Sequence, residues 1–348
     1  KFSAALGSIS YAFRHRGLSL LRSDNLLLGD IAGACALVKA VHKLGPENLE
    51  TMVNYLADGD GRNQEKIALA ADIGKLTKLV NTVADMGMDT FKQLIQSITQ
   101  CSAEDAGLYY TASFLQVTLR KDVDILTHVL DTFHTIGIET VAAFQNELTA
   151  QFGDAGKYAF YYDPSGFCEL VTTAAEMGTP AFFAATAAIT EAYGPEQLIY
   201  AYLVGNAQSQ VPSNLEGLAS LARTINAIGS ESFKETASLL NSLFGSTPVA
   251  QTLFHNPQRT FALFQAIEKT GVDKTQKIIE LANKHLGKSL VGAIMVNNPE
   301  AFGQTIAAAA AMGMTAWENK LKEIAKELPE PQTATTAAAT TTATDTNT

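Results

Sequence analysis

Residues 163–178 read D-P-S-G-F-C-E-L-V-T-T-A-A-E-M-G, and an Asp or Asn stands fifteen residues before a Gly in the same way at seven places. The seven pairs are Asp30/Gly45, Asp72/Gly87, Asp122/Gly137, Asp163/Gly178, Asn214/Gly229, Asn256/Gly271 and Asn298/Gly313. Asp and Asn are good helix N-caps, because the short side-chain oxygen accepts a hydrogen bond from a free N–H of the first turn. Gly stops a helix in a left-handed conformation. Each pair therefore predicts a helix of about fourteen residues.

The residues between cap and Gly are apolar at helical spacing. Eight, four and one residues before each Gly stand Leu37, Val41 and Leu44; Leu79, Val83 and Met86; Val129, Phe133 and Ile136; Leu170, Ala174 and Met177; Leu221, Ile225 and Ile228; Leu263, Ile267 and Thr270; and Thr305, Ala309 and Met312. This pattern predicts one buried stripe on each helix.

A second helix is predicted after each Gly. Four and eleven residues after it stand Leu49 and Leu56; Phe91 and Ile98; Val141 and Leu148; Phe182 and Ile189; Phe233 and Leu240; Thr275 and Ala282; and Trp317 and Ile324. Sixteen residues after it a second Gly follows in five units, at Gly61, Gly153, Gly194, Gly245 and Gly287. The residues from there to the next cap form a third segment of variable length, which we interpret as a short helix.

The first Gly recurs at intervals of 42, 50, 41, 51, 42 and 42 residues. A period of this length with two or three helices per unit is typical of stacked helical repeats. The arrangement resembles HEAT and armadillo arrays in architecture, without the consensus of either family. The predicted fold is all-α: a right-handed-type α-solenoid of about seven repeats of 41–51 residues, each with two long helices and a short variable third segment.

The repeats divide the chain of 348 residues into three parts. Residues 1–29 are interpreted as the tail of a truncated preceding repeat, and residues 30–328 as the seven-unit domain. Residues 329–348 are almost wholly Thr and Ala after the P-E-P run, which predicts a disordered tail or linker.

The net charge of −10 makes nucleic acid an unlikely partner, because nucleic-acid binding needs a basic face. No apolar run is long enough to predict a transmembrane helix. The three cysteines, Cys35, Cys101 and Cys168, lie far apart in helical patterns and are expected to be buried free thiols. This usage favours a cytoplasmic location, while export without disulfides stays open.

No catalytic, cofactor-binding or metal-binding motif stands out, so the sequence predicts a protein that is not an enzyme and has no cofactor. The run D-G-D-G-R-N at residues 58–63 invites a calcium interpretation. An EF-hand loop has Glu at its twelfth position, where this chain has Leu69, so we expect no metal there.

Seven of the ten tyrosines fall in the third segments of units two to four: Tyr109, Tyr110, Tyr158, Tyr161, Tyr162, Tyr200 and Tyr202. Tyrosine is common where partners bind, because it offers a large contact area and a polar tip at low entropic cost. The alternative is that these rings pack between neighbouring units, as most aromatic residues at helical spacing do.

The leading functional hypothesis is a non-catalytic scaffold that presents an extended surface to a protein or peptide. One alternative is a carrier of an apolar or aromatic small molecule in the Tyr- and Ala-rich middle. A further alternative is a secreted bacterial effector that acts on host proteins. The sequence leaves the oligomeric state open.

Overall fold

The computed structural model describes residues 2–13, 30–56, 69–103, 122–194, 198–205 and 212–328, and within these ranges it contains helices and no strand. The helices of the first half are α1 (Phe2–Ala12), α2 (Ile31–Leu44), α3 (Pro46–Leu56), α4 (Ile73–Met86), α5 (Met88–Ala103), α6 (Val123–Ile136), α7 (Ile138–Tyr162), α8 (Pro164–Met177) and α9 (Thr179–Tyr193). Those of the second half are α10 (Leu198–Val204), α11 (Leu215–Ile228), α12 (Ser230–Phe244), α13 (Ser246–His255), α14 (Pro257–Thr270), α15 (Val272–Leu286), α16 (Lys288–Asn297), α17 (Pro299–Met312) and α18 (Met314–Glu327). The all-α prediction is confirmed.

The predicted caps begin the predicted helices. The side chains of Asp30, Asp72, Asp122, Asp163, Asn214 and Asn298 each accept a hydrogen bond from a backbone N–H of the first turn. Asn256 precedes α14 in the same position but makes no such bond.

Each first helix is joined to its second helix by one glycine. These glycines have φ between 83° and 96° and ψ between 122° and 156°. We expected a left-handed helical conformation at these glycines, and this prediction is wrong because their ψ is extended. Their positive φ still favours Gly. The reason is that the glycine serves both helices: the N–H of Gly87 donates to Val83 at 2.9 Å, and its carbonyl accepts from Phe91 N–H at 3.0 Å.

The third segments of units three to six each contain a helix. In unit three the segment is the end of α7, beyond a kink at Gly153 with φ 56° and ψ −134°. In units four to six it is α10, α13 and α16. In unit one only residues 69–71 of the segment are described, and residues 69–70 are helical. The rest of that segment and the segment of unit two lie outside the described residues, together with the turn at residues 58–63 and the tail at 329–348.

Corresponding helices pack side by side. The first helices α2, α4, α6, α8, α11, α14 and α17 each contact the next in that order. Among the third helices, α7 contacts α10, α10 contacts α13, and α13 contacts α16. These neighbouring contacts are compatible with a helical repeat.

The predicted stripes form most of the core, although Ile136, Met177 and Thr270 are only half-buried and the last unit departs further. The position four residues before the Gly is buried in all seven pairs. Thr305 and Met312 are exposed, and Ile324 is half-buried, against expectation. They lie on α17 and α18, whose outer faces no described helix covers.

The cysteines are only partly as expected. Cys168 is buried, but Cys35 is exposed, so that prediction is wrong. Cys35 lies one turn after the exposed Ile31, on the side of α2 away from the buried Leu37 and Val41. The side chain of Cys101 is not among those described.

Candidate binding surface

The predicted tyrosines that the structure describes lie on two adjacent helices. Tyr158, Tyr161 and Tyr162 are at the end of α7, and Tyr200 and Tyr202 are on α10, which contacts α7. Tyr109 and Tyr110 lie outside the described residues.

Three of these five side chains are accessible to a partner. Tyr161 is 37% exposed, Tyr162 is 52% exposed and Tyr200 is 49% exposed. The rings of Tyr161 and Tyr162 meet edge to face with centroids 5.8 Å apart. We call these three residues the tyrosine surface. Tyr158 is half-buried, with the ammonium of Lys157 5.8 Å from its ring centroid.

Tyr202 belongs to the core. It is fully buried, its hydroxyl donates a hydrogen bond to the Leu253 carbonyl at 2.6 Å, and its ring centroid lies 5.0 Å from that of Phe254. Burial raises the pKa of the Tyr202 phenol above its ordinary value. Tyr202 therefore connects α10 to α13 and cannot touch a partner in this arrangement.

The outward direction of Tyr161 and Tyr162 follows from the packing of the residue before them. Phe160 is buried, with its ring centroid 5.5 Å from that of Phe133 and 5.1 Å from that of Phe167. Successive residues of a helix are about 100° apart, so anchoring Phe160 in the core turns the next two side chains towards solvent. On α10, the buried Ile199, Tyr202 and Leu203 leave Tyr200 facing outward in the same way.

Ion pairs occupy other parts of the molecule and connect successive units. Lys75 on α4 lies 2.8 Å from Asp122 and 3.3 Å from Asp124. Arg223 on α11 lies 3.3 Å from Glu176, and Lys234 on α12 lies 2.9 Å from Glu191. The tyrosine surface itself includes no carboxylate, ammonium or guanidinium group.

A shallow depression of about 560 Å³ lies between α12 and α15. Its lining includes Glu231, Lys234, Glu235 and Gln276, and the Lys234 ammonium is 2.6 Å from the Glu231 carboxylate. Such a charged lining does not suit an apolar or aromatic small molecule. The depression also lies outside the Tyr- and Ala-rich middle that the carrier hypothesis names, so it does not test that hypothesis.

Within the described ranges, no group of three or more His, Cys, Asp or Glu side chains is arranged to hold a metal ion. None of the described helices is long and apolar enough to cross a membrane.

Sequence reasoning missed other exposed apolar side chains. Tyr11 on α1 and Tyr55 on α3 are exposed, and so are Leu290 and Ile294 on α16. Leu290 and Ile294 lie in an apolar run that looks, in sequence, like the buried third helices before it. Only their place in the last described third helix distinguishes them.

Comparison of the chain with protein-family models, with curated proteins and with solved structures found no match. No family relationship therefore supports the resemblance to HEAT and armadillo arrays, which stays architectural.

Proposed function

We propose that this protein is a non-catalytic binding scaffold: an α-solenoid of about seven units that binds a protein or peptide through the tyrosine surface. The observation that carries the proposal is the exposure of Tyr161, Tyr162 and Tyr200 on two helices that contact each other. The number of repeats and the HEAT- or armadillo-like architecture are part of what we propose.

Helical packing gives such a surface a rigid support. The tyrosine backbones belong to helices whose other faces are in the core, so the rings are held without a flexible loop. Little conformational entropy is then lost when a partner orders them. Each ring offers apolar area and a hydroxyl that donates or accepts a hydrogen bond, which suits a polypeptide with its mixed apolar and amide surface.

Because the tyrosine surface has no charged side chain, we expect binding of the partner to depend only weakly on salt concentration. Charged interfaces weaken as ionic strength rises, because screening shortens the reach of each charge. Binding through Tyr161, Tyr162 and Tyr200 should therefore change little between low and physiological salt. A steep loss of binding over that range would point to the ion-paired surfaces instead.

The experiment compares two variants of the full chain as baits. In the first, Tyr161, Tyr162 and Tyr200 are all changed to alanine. In the second, only Tyr11→Ala is introduced, which removes a tyrosine that is also exposed but lies on α1. Affinity purification from the native source, followed by titration of the purified partner, gives the readout.

We expect the triple variant to weaken binding of the partner by at least about tenfold, as loss of interface aromatic residues does. Tyr11→Ala should leave binding within about twofold of wild type, a change too small to reflect an interface anchor. Thermal denaturation of both variants shows whether the fold is intact. A partner that binds the folded triple variant as tightly as wild type would overturn the proposal.

A further inference from the structure

The third helices share a register that one backbone hydrogen bond defines. In each, the N–H of the following cap donates to a residue near the helix end: Asp163 to Ala159, Asn214 to Tyr202, Asn256 to Thr252, and Asn298 to Ile294. The bond spans four residues at α7, α13 and α16 and twelve at α10, and in each case it ties the next cap to its acceptor. We therefore treat the four acceptors as corresponding positions.

In the earlier third helices, the next third helix covers this position. Tyr202 is buried and reaches Leu253 of α13 through its hydroxyl. Thr252 is buried, and its hydroxyl oxygen lies 3.8 Å from the Met295 sulfur of α16. Ala159 on α7 is buried as well. On α10 and α13 the position therefore points towards the next third helix.

On α16 the same position is open. Ile294 is 41% exposed, and Leu290, one turn earlier on the same side, is 38% exposed. Ala293 between them is also exposed, whereas Val291 and Met295 of the same helix are buried. The result is an apolar strip of three side chains on the face that would meet a further third helix. We call Leu290, Ala293 and Ile294 the α16 strip.

We infer that the α16 strip is a docking site for a short amphipathic helix of another protein, which binds by adding one more helix to the row of third helices. The row itself argues for this occupant, since the α10–α13 and α13–α16 contacts show the same face covered by a helix of ten residues. By analogy with Met295, whose sulfur lies against the Thr252 hydroxyl, the incoming helix places a large apolar side chain over Ile294.

Two other occupants fit less well. Residues 329–348 contain no Leu, Ile, Val, Met or aromatic residue, so they offer Ile294 no large apolar contact. In a second copy of the chain, the described third helices are already packed against their own neighbours, so none is free to dock on the strip as a separate helix. A separate amphipathic helix supplies what both lack, and recognition of apolar side chains at helical spacing is a common mode of peptide binding.

The test selects peptides of about three helical turns from a displayed random library against the full chain. A selected peptide is then synthesised with a fluorophore and titrated with wild type, Ile294→Glu and Gln251→Glu. Gln251→Glu is the matched control, because it adds the same charge at an exposed position of the neighbouring α13. The triple tyrosine variant is a separate arm that distinguishes this site from the tyrosine surface.

We expect the selected peptides to have apolar residues at helical spacing. Ile294→Glu should weaken their binding at least about tenfold, while Gln251→Glu and the tyrosine variant keep it within about twofold, below the threshold for an anchor residue. A selection that yields no peptide sensitive to Ile294→Glu would overturn the inference.

Two further measurements exclude the other occupants. If the wild-type protein self-associates in sedimentation experiments and the Ile294→Glu variant is monomeric, a second copy of the chain covers the strip. In monomeric protein, Ile294→Cys should react with a thiol reagent at a rate like that of a free exposed thiol. A protected Cys at this position would show that the chain covers the strip itself, and either result overturns the inference.

Discussion

At the scale of single residues, polar groups in the core show where the repeat departs from its own pattern. The position four residues after the first Gly holds Leu, Phe, Val or Trp in six units, but Thr275 in the sixth. Thr275 is fully buried, and in the described part of the chain its hydroxyl has no hydrogen-bond partner. A buried hydroxyl without a partner is destabilising, because it has lost its bonds to water.

We therefore expect Thr275→Val to stabilise the protein by about 1 kcal/mol, since valine has the same shape and no hydroxyl. The matched control is Thr186→Val, because Thr186 is equally buried but its hydroxyl donates to the Phe183 carbonyl at 2.9 Å. Thermal denaturation of both variants measures the difference. A Thr275→Val protein with an unchanged or lower Tm would contradict this account.

Single tyrosines mark the limit of sequence reasoning at this scale. Tyr200 and Tyr202 are two residues apart in L-I-Y-A-Y-L-V, and one is exposed while the other is in the core. The segment is apolar all round, so helical periodicity does not indicate which face is inward. Its rotation is set by partners from distant sequence, such as the Leu253 carbonyl that binds the Tyr202 hydroxyl.

At the scale of helices, the cap residues were the sequence signal that best predicted where helices begin and end. The Asp or Asn and the Gly fifteen residues later predicted the bounds of seven first helices, because both signals act locally. The same signals could not show that Asn256 lacks the cap bond that Asn214 makes. Asn214 also donates its amide N–H to the Phe254 carbonyl of α13, a tertiary contact that the local sequence does not encode.

The caps give a prediction with an internal comparison. Asp163→Ala should destabilise the protein by about 1 kcal/mol, because it removes the acceptor of the Gly166 N–H bond at 2.9 Å. Asn256→Ala should cost clearly less, since that side chain makes no cap bond. Both helices have Pro at the next position, so the two sites are otherwise matched. Equal losses in denaturant unfolding would show that the side-chain bond is not the source of the stability.

At the scale of the whole molecule, ion pairs connect residues about one unit apart. The hydrogen bonds of Lys75 to Asp122 and of Arg223 to Glu176 each span 47 residues, and that of Lys234 to Glu191 spans 43. Each joins corresponding helices of neighbouring units. Such partly exposed pairs contribute little one by one, but their repetition helps to fix how the units align.

Acidification should reveal this contribution at Asp122. The hydrogen bond from Lys75 is the main cause that lowers the pKa of Asp122 below its ordinary 3.8. A carboxylate with a lowered pKa stabilises the fold above its unfolded pKa, and this contribution is lost as pH falls through the folded value. Since Asp122 is partly exposed, we expect less than about 1 kcal/mol at pH 7.

Asp122→Asn tests this prediction, because Asn caps a helix as well as Asp but cannot form the ion pair. Its Tm should fall below that of wild type at neutral pH, and the difference should vanish well below pH 3.8. Asp163→Asn is the control, since Asp163 is a cap without an ion pair among the described residues. A Tm difference for Asp122→Asn that persists unchanged in acid would argue against the ion pair.

Sequence patterns predicted the all-α class and the order of the helices, because these follow from local periodicity. The exposed ends of the packing could not be predicted in this way. Thr305, Met312 and Ile294 occupy places in the sequence pattern that correspond to buried positions of earlier units. Each is nevertheless exposed, because no described helix follows on its outer side. Whether a periodic side chain is covered depends on the next helix, and that information is not local.

The one-residue joints between helices also restrict how the length of this chain can change. A residue inserted into a helix beside such a joint would rotate the rest of that helix by about 100° and would turn its buried stripe towards water. Units five and six accordingly have helices of the same 14, 15 and 10 residues. We therefore expect insertions and deletions to be tolerated as whole units or within the variable third segments, where the intervals of 50 and 51 residues gain their extra length.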